Sequence, residues 1–381
     1  MSSRRLRGGA PEARSGGQAP GDTTTPVAQA TAPAQPAVPP QAGRGVGRTQ
    51  RFDLGAVRLR GGRVLPAVTV EAGIWGTLAA DGSNAVLVCH SFTADAFAAG
   101  TDPVARPDHR PWRIGRTGWW DALIGPGRAI DTDRWCVVCS AVLGGSGGTT
   151  GPGDPDPATG RPWGWGFPAL TVEDLVGAQR RLQERLGIPR WRLVVGGSLG
   201  GLQALTWAAT APGALARALV IAATHRPTEP GIRHFAAGRA LIAGDPADGG
   251  PGLLRALAHA RRWSGGGAPD PGGWEGDWPR ERFHPASYVR LAEAIERFDL
   301  ARDLGGGSLD GAAARIRAPL DLVAYRGDRL FTPVDARALA AAVRRTGGAA
   351  TVTVMDGPDG HDTFLTQPST LADALRRALP E

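Results

Sequence analysis

The hydrophobic residues of this chain fall into short, nearly continuous runs that are separated by longer amphipathic stretches. Runs of this kind are typical of strands buried on both faces of a parallel sheet. They lie at Ala85–Cys89, Cys136–Val138, Leu193–Val195, Ala218–Ala222, Leu320–Ala324 and Val352–Met355. Ahead of them, Val57–Arg60 and Val64–Ile74 alternate between apolar and polar residues around Gly61 and Gly62, which predicts an antiparallel pair of strands.

Amphipathic stretches with helical spacing connect several of these runs. The sequence Thr171-Val-Glu-Asp174 predicts a capped helix N-terminus, and Leu202–Ala211 and Val334–Arg344 predict further helices. Strands that alternate with helices indicate an α/β fold, with a mostly parallel central sheet flanked by helices.

Residues 224–315 interrupt the alternation of strands and helices. Their helical patterns lie at Arg233–Ile242, Leu253–Trp263 and Ala286–Phe298. A Gly-rich stretch, Ser264–Gly273, separates two of these patterns, and none of the region is typical of a strand. We therefore expect a helical lid that is inserted between two parts of the core, residues 52–223 and 316–381.

Residues 1–51 are rich in Pro, Ala, Gly and Thr, with scattered Arg. They lack the apolar residues that would offset the entropy cost of ordering, which predicts a disordered tail. No apolar segment follows the first arginines, which argues against a secretory signal, and no apolar run is long enough for a membrane span. We expect a cytoplasmic protein without a membrane partner.

Charge and cysteine content exclude other classes of protein. The formal net charge is +7. The tail carries seven Arg against Glu12 and Asp22, which gives +5, so +2 remains for the globular part and nucleic-acid binding is not expected. Three cysteines in 381 residues exclude a disulfide scaffold. Cys136 and Cys139 lie three apart in a predicted strand and so face opposite sides, which favours packing and no metal site.

The sharpest chemical pattern is Gly196-Gly-Ser198-Leu-Gly200, which lies between a buried strand and a helix. In this Gly-x-Ser-x-Gly arrangement, the nucleophile elbow, a tight turn presents a hydroxyl at the N-terminus of a helix. The flanking glycines leave room for the strained backbone of the serine. Ser198 is therefore the candidate nucleophile.

A serine nucleophile needs a base and an acid that orients the base. In α/β folds that carry a nucleophile elbow, the chain order is Ser, then Asp or Glu, then His. Asp328 follows one predicted strand and His361 follows the next. Because the carboxyl ends of parallel strands meet at one edge of the sheet, these side chains are expected to converge. The sequence predicts a triad of Ser198, Asp328 and His361.

Acyl chemistry at a serine also needs N–H donors for the oxygen that becomes negatively charged. The segment His90-Ser-Phe-Thr93 follows the predicted strand Ala85–Cys89. The backbone N–H groups of Phe92 and Leu199 are the candidate donors of this oxyanion hole.

Several segments together resemble the homoserine O-acetyltransferase family of the α/β-hydrolase superfamily. They are Asn84–Asp95, Gly118–Asp131, Val142–Pro152, Gly196–Trp207 and Gly360–Leu365. The resemblance covers most of residues 52–381 and implies an α/β-hydrolase fold with an inserted helical lid. The resemblance also implies a homodimer, but family dimers are built partly from lid helices, so a divergent lid weakens that implication.

The resemblance implies a ping-pong reaction that serves methionine biosynthesis. Ser198 would take an acetyl group from acetyl-CoA, a substrate rather than a bound cofactor, and pass it to the hydroxyl of L-homoserine. In the family, a lid Arg and the Asp after the catalytic His hold the amino acid, and the matching positions are Arg255 and Asp362. A guanidinium can grip a carboxylate in fork geometry, and a carboxylate can accept hydrogen bonds from an ammonium group.

The lid departs from the family pattern. Ser264–Trp274 is Gly- and Pro-rich, Arg262 stands where the family has Tyr, and Ser146 stands where the family commonly has Cys. Alternatives therefore stay open: succinyl-CoA as donor, serine or a secondary-metabolite hydroxyl as acceptor, or a serine esterase in which water takes the acyl group. A catalytically silent binding scaffold is a further alternative, against which the complete triad argues.

Overall fold

The structure is a computed structural model, and it describes residues 47–101, 115–245, 250–264 and 283–380. These residues belong to one compact unit, Ala37–Glu381. Most of the predicted tail, residues 1–46, and residues 265–273 of the Gly-rich stretch lie outside the described part.

The described residues form one large sheet and one small pair of strands. The large sheet contains β1 (Arg48–Arg58), β2 (Val64–Trp75), β3 (Ala85–Cys89), β6 (Cys136–Ser140), β7 (Leu193–Gly197), β8 (Ala218–Ile221), β9 (Leu320–Tyr325) and β10 (Ala350–Met355), and the pair is β4 (Ile124–Gly125) with β5 (Ile130–Asp131). The order in the large sheet is β1-β2-β6-β3-β7-β8-β9-β10. Strands β6 to β10 in this order run parallel, whereas β1 and β2 pair antiparallel at one edge. The predicted mostly parallel sheet is confirmed.

The tail boundary predicted after residue 51 is wrong, because β1 already begins at Arg48. Residues 48–51 pair with residues 71–74 of β2. Backbone hydrogen bonds stabilise this edge of the sheet, and they do not depend on the type of side chain. The side chains of residues 48–51 are polar, so they showed no alternation of apolar and polar residues. At the other end of the hairpin, the Leu59 N–H donates to the Arg63 carbonyl at 2.8 Å, and Gly62 takes the positive φ of 87° that the turn requires.

Alternate residues of the central strands enter two separate cores, one on each face of the sheet. In β3, Leu87 and Cys89 face one core and Val88 faces the other. Cys136 and Cys139 likewise fall on opposite faces, as their spacing predicted. Burial raises the pKa of the Cys89 thiol to about 12 and that of Cys136 to about 11, so these cysteines are packing residues rather than reactive thiols.

Helices cover both faces of the sheet and fill the region between β8 and β9. They are α1 (Val172–Arg185), α2 (Leu199–Thr210), α3 (Glu229–Ala243), α4 (Gly250–Ser264), α5 (Pro285–Glu296), α6 (Leu300–Leu304), α7 (Leu309–Ala313), α8 (Pro333–Arg345), α9 (Thr363–Thr366) and α10 (Ala372–Ala378), with 3-10 turns at Gly164–Gly166, Gly360–Asp362 and Pro368–Leu371. Helix α1 starts at the predicted capping box: Thr171 Oγ1 accepts from the Asp174 N–H, and Asp174 Oδ2 accepts from the Thr171 N–H at 2.8 Å.

Between residues 224 and 315 the described segments hold helices α3 to α7 and no strand. Helix α3 packs against α4 and α5, and α4 also contacts the turn Gly360–Asp362 that follows β10. These helices therefore lie over the carboxyl edge of the sheet. Across the described ranges, no helix combines the length and the apolar content needed to cross a bilayer.

Candidate active site

Strand β7 turns directly into helix α2 at Ser198. Ser198 has φ 57° and ψ −122° and is the N-cap residue of α2. Among the described non-glycine residues, only Ala222 shares a positive φ with it. Such a backbone is strained for an L-residue and is maintained only where the surroundings enforce it. The turn lifts the Ser198 side chain out of the strand and places it at the N-terminal end of a helix.

The glycines on either side of Ser198 are required by close backbone contact. A Cβ atom on Gly196 would lie 2.5 Å from the carbonyl group of Gly200, and one on Gly200 would overlap the carbonyl oxygen of Cys89. Both separations are far below the contact distance of carbon and oxygen. Glycine at these two positions therefore lets the first turn of α2 lie directly against the end of β3.

Three predicted side chains meet at this turn. The Nε2 atom of His361 lies 2.8 Å from Ser198 Oγ, and its Nδ1 atom lies 2.8 Å from Asp328 Oδ2. A carboxylate only accepts hydrogen bonds, so Nδ1 carries the proton and Nε2 of the neutral ring accepts from the serine hydroxyl. The side chains of all three residues are buried, with 5% of Ser198, 3% of Asp328 and 7% of His361 exposed.

The carboxylate is itself held in a fixed orientation. Asp328 Oδ1 accepts from the backbone N–H groups of Leu330 at 2.8 Å and Phe331 at 3.0 Å. Oδ2 is thereby left to face the imidazole. The rings of Phe331 and Phe364 lie 5.9 Å from that of His361 on two sides and restrict its rotation. Residues of the loops after β9 and β10 therefore fix the orientation of both members of this hydrogen-bonded pair.

Opposing effects act on the pKa of His361. Burial lowers it, but the charge of Asp328, the hydrogen bond to Asp328 and the charge of Asp362 together outweigh burial and raise the pKa above its ordinary value. An imidazole with a raised pKa is a stronger base. The site thus favours proton transfer from Ser198 to His361.

Phe92 and Leu199 lie at the two segments that face the serine turn. In the described part of the chain, neither backbone N–H donates to another protein group. The Phe92 ring packs edge-on against Phe235, Phe283 and Tyr288 at centroid distances from 4.8 to 6.0 Å. The lid therefore covers the side chain of Phe92 while its backbone donor stays available.

The two predicted substrate-binding residues occupy different surroundings. Asp362 directly follows His361 and acts on its pKa. Arg255 lies on α4 with 54% of its side chain exposed, and its Nη2 atom is 3.4 Å from Asp245 Oδ2. The structure thus brings Asp362 to the triad and places Arg255 on the lid surface, and their roles toward a substrate stay predictions.

Sequence reasoning missed a cluster of lid side chains beside the triad. His234 Nδ1 lies 3.1 Å from His259 Nε2, and the His234 ring stacks on Trp263 at 4.4 Å. The Arg329 guanidinium lies over Trp263 and donates to its carbonyl oxygen. Burial, followed by the charges of His259, His361 and Arg329, lowers the pKa of His234 to about 4. No short motif marks this cluster, because its members come from two crossing helices and the loop of Asp328.

The chain is similar to known proteins over most of its length. Residues 84–245 match the family described as alpha/beta hydrolase fold. Homoserine O-acetyltransferase of Symbiobacterium thermophilum is 39% identical over 360 residues, covering 85% of this chain and 91% of that protein.

Solved structures share the fold. Homoserine O-acetyltransferase from Bacillus anthracis superposes with a TM-score of 0.77 at 23% identity, covering 88% of this chain and 98% of that one. The acetyl esterase MekB superposes with a TM-score of 0.69 at 25% identity, covering 87% and 96%. The predicted α/β-hydrolase fold is confirmed, and the chain belongs to the homoserine O-acetyltransferase family.

Proposed function

We propose that this protein transfers an acetyl group from acetyl-CoA to the side-chain hydroxyl of L-homoserine, through an acetyl-enzyme at Ser198, for methionine biosynthesis in the cytoplasm. The observation that carries the proposal is the continuous hydrogen-bonded chain from Ser198 to His361 to Asp328, with 2.8 Å at each step. A sequence identity of 39% to a homoserine O-acetyltransferase supports the choice of donor and acceptor.

In the first half-reaction, His361 Nε2 takes the hydroxyl proton as Ser198 Oγ attacks the thioester carbonyl carbon. A tetrahedral intermediate forms, and its collapse breaks the C–S bond. The CoA thiolate leaves and takes the proton from His361. The Asp328 carboxylate stabilises the imidazolium that exists between these two proton transfers.

The carbonyl oxygen becomes an oxyanion in this intermediate. The N–H groups of Phe92 and Leu199 are the proposed donors, and the N-terminal end of α2 adds a favourable dipole. Because both donors belong to the backbone of packed segments, they need little reorganisation when the charge develops.

In the second half-reaction, the homoserine hydroxyl gives its proton to His361 Nε2 and attacks the acetyl carbonyl of the acyl-enzyme. Ser198 Oγ is the leaving group and recovers the proton. Asp362, next to His361, would accept hydrogen bonds from the substrate ammonium, and Arg255 would bind its carboxylate. The ion pair of Arg255 with Asp245 uses only Nη2, so N–H groups remain for the substrate.

Hydrolysis is a second candidate, favoured by the similarity to the acetyl esterase MekB. In that case water replaces homoserine in the second half-reaction while the first is unchanged. The two functions differ only in what reaches the acyl-enzyme, so the triad geometry does not separate them.

An acceptor assay distinguishes these functions. We expect the full-length protein with acetyl-CoA to release CoA slowly alone and much faster when L-homoserine is added, with O-acetylhomoserine formed in equal amount. Parallel reactions with succinyl-CoA and with L-serine test the other donor and acceptor. Release of acetate at a rate that no acceptor changes would contradict transfer and favour the esterase.

The role of Arg255 is tested by Arg255→Ala. Loss of a charge-assisted contact to the substrate carboxylate is expected to raise the KM for homoserine about 10- to 100-fold. Acetylation of Ser198 by acetyl-CoA, followed by mass spectrometry in the absence of acceptor, should be unchanged. Arg233→Ala, which removes an exposed arginine of α3 that pairs with Glu229, serves as the control. A fall in acetylation itself in folded Arg255→Ala would show that the assigned role is wrong.

A further inference from the structure

A buried network of polar side chains lies beneath the serine turn, on the side of the sheet that holds α1 and α2. Gln203 of α2 and Gln179 of α1 are its centre, and both are buried, with 0% of Gln203 exposed. Burial of an amide side chain costs free energy unless its hydrogen bonds are made. A pair of glutamines in the core is therefore expected to have a specific role. The triad mechanism above uses neither residue.

The indole of Trp207 determines which amide atoms of Gln179 and Gln203 donate and which accept. Trp207 Nε1 can only donate, and it lies 2.8 Å from Gln179 Oε1. The Gln179 amide group is thereby turned toward Gln203, and its Nε2 atom donates to Gln203 Oε1 at 2.7 Å. The Nε2 atom of Gln203 must then face away from Gln179.

Gln203 Nε2 faces two backbone carbonyl groups that belong to different segments. It donates to Leu199 at 3.1 Å and to His90 at 3.4 Å. Leu199 carries one proposed oxyanion donor on its own N–H, and His90 lies two residues before Phe92, which carries the other. One side chain therefore connects the two segments whose separation defines the oxyanion hole.

The segment of His90 is also fixed from its other side. The Val142 N–H donates to His90 Nε2 at 3.0 Å, so the proton of the neutral ring is on Nδ1, which donates to the Ser91 carbonyl at 2.7 Å. The absence of a Cβ on Gly200 lets α2 approach the Cys89 and His90 carbonyl groups closely. Gln203 is thus the polar link between a braced loop and the first turn of α2.

We infer that Gln203 is a positioning residue of the oxyanion hole, which sets the spacing of the Phe92 and Leu199 N–H groups for the tetrahedral intermediate. This inference rests on the acyl-enzyme of the proposed function but not on the identity of donor or acceptor. Without the bridge, the two donors lose their fixed separation while Ser198, His361 and Asp328 stay in place. A displacement of this kind slows the chemical step more than it weakens substrate binding.

Gln203→Met tests the inference because it keeps the length of the side chain and removes its polar atoms. With p-nitrophenyl acetate as donor, the rate constant for acylation of Ser198 should fall about 10- to 100-fold, with little change in KM. Boronic acids form tetrahedral adducts with activated serine hydroxyls, so the inhibition constant of phenylboronic acid should rise by about tenfold or more. Thr206→Val is the matched control: Thr206 is equally buried on α2 and donates to the Leu202 carbonyl at 2.8 Å, without a link to the His90 segment.

Circular dichroism and thermal melts establish that each variant is folded. Should Gln203→Met fail to fold, Gln203→Asn takes its place in the test. The shorter amide stays polar but cannot reach both the Leu199 and the His90 carbonyl groups. Unchanged acylation in a folded variant, or slower acylation with unchanged boronic acid affinity, would overturn the inference. So would failure of both variants to fold beside a folded Thr206→Val. If p-nitrophenyl acetate acylates Ser198 but the protein does not react with acetyl-CoA or homoserine, the proposed function is refuted and the inference about Gln203 is not.

Discussion

Replacing Ser198 by Ala is expected to abolish the acyl-enzyme. Ser198 Oγ is the hydroxyl that lies 2.8 Å from His361 Nε2, within reach of proton transfer. Removal of a triad nucleophile typically costs at least about 10⁴-fold in kcat, with residual turnover from the remaining site. Mass spectrometry after incubation with acetyl-CoA should detect one acetyl group on the wild-type protein and none on Ser198→Ala.

Ser91→Ala supplies the matched control for this experiment. Ser91 lies in the neighbouring segment, and its buried Oγ atom has no hydrogen-bond partner among the residues that the structure describes. Removal of this hydroxyl should leave the acetyl-enzyme intact. Acetylation that persists in Ser198→Ala at the wild-type level would place the nucleophile elsewhere and would refute the covalent mechanism, whatever the acceptor.

The parts of this site that the sequence predicts are those that local rules determine. Buried parallel strands have continuous apolar runs, and a glycine on either side of Ser198 marks a turn too tight for side chains. Asp328 and His361 follow successive strands, and parallel strands bring such positions to one edge of the sheet. Their mutual contact therefore depends on topology that the strand pattern already contains.

The sequence pattern is weaker for elements that are stabilised by backbone pairing or by one capping side chain. Asp299 caps the N-terminus of α6, where its side chain accepts from the Arg302 N–H at 3.1 Å, and Ser308 caps α7, where its side chain accepts from the Gly311 N–H at 3.3 Å. Neither helix is long enough to build an apolar stripe. The start of β1 at Arg48 escaped prediction for a related reason, because its partner is the backbone of β2.

Contacts between segments that are distant along the chain have no counterpart in the spacing of residues in the sequence. The stack of His234 on Trp263 requires that α3 and α4 cross over the loop of Asp328, and no spacing along the chain encodes that crossing. The bridge made by Gln203 is similar, since its partners are backbone carbonyl groups that any residue type would supply. The signal in the sequence was a glutamine within a largely apolar helix.

The hydrogen bonds of Asp328 predict how Asp328→Asn would fail. Two N–H groups, from Leu330 and Phe331, point at Oδ1, so the amide oxygen of an asparagine must stay there. Its NH₂ group then takes the place of Oδ2 and faces His361 Nδ1. That nitrogen must accept, which moves the ring proton to Nε2, opposite Ser198 Oγ. A base protonated on this side cannot take the serine proton, and acylation should fall about 10⁴-fold.

The pH dependence of acylation supplies a second readout of Asp328. His361 acts as a base only when it is neutral, and its pKa is raised, so the wild-type acylation rate should fall as the pH decreases through a value above the ordinary 6.5 of histidine. Asparagine removes the charge and the hydrogen bond that raise this pKa, while burial, which lowers it, remains. The residual activity of Asp328→Asn should therefore retain more of its maximum at about pH 6 than the wild-type activity does.

Asp335→Asn is the control for both measurements, because Asp335 lies in the first turn of α8, accepts from the Thr332 hydroxyl at 2.6 Å and is not among the groups that shift the pKa of His361. Its acylation rate and pH profile should match those of the wild type. A wild-type profile in folded Asp328→Asn, with a similar rate, would mean that the carboxylate neither fixes the tautomer of His361 nor stabilises its charge. A lower rate with an unshifted pH profile would leave Asp328 an orienting role and deny it the electrostatic one, since loss of its charge and its hydrogen bond should lower the pKa of His361.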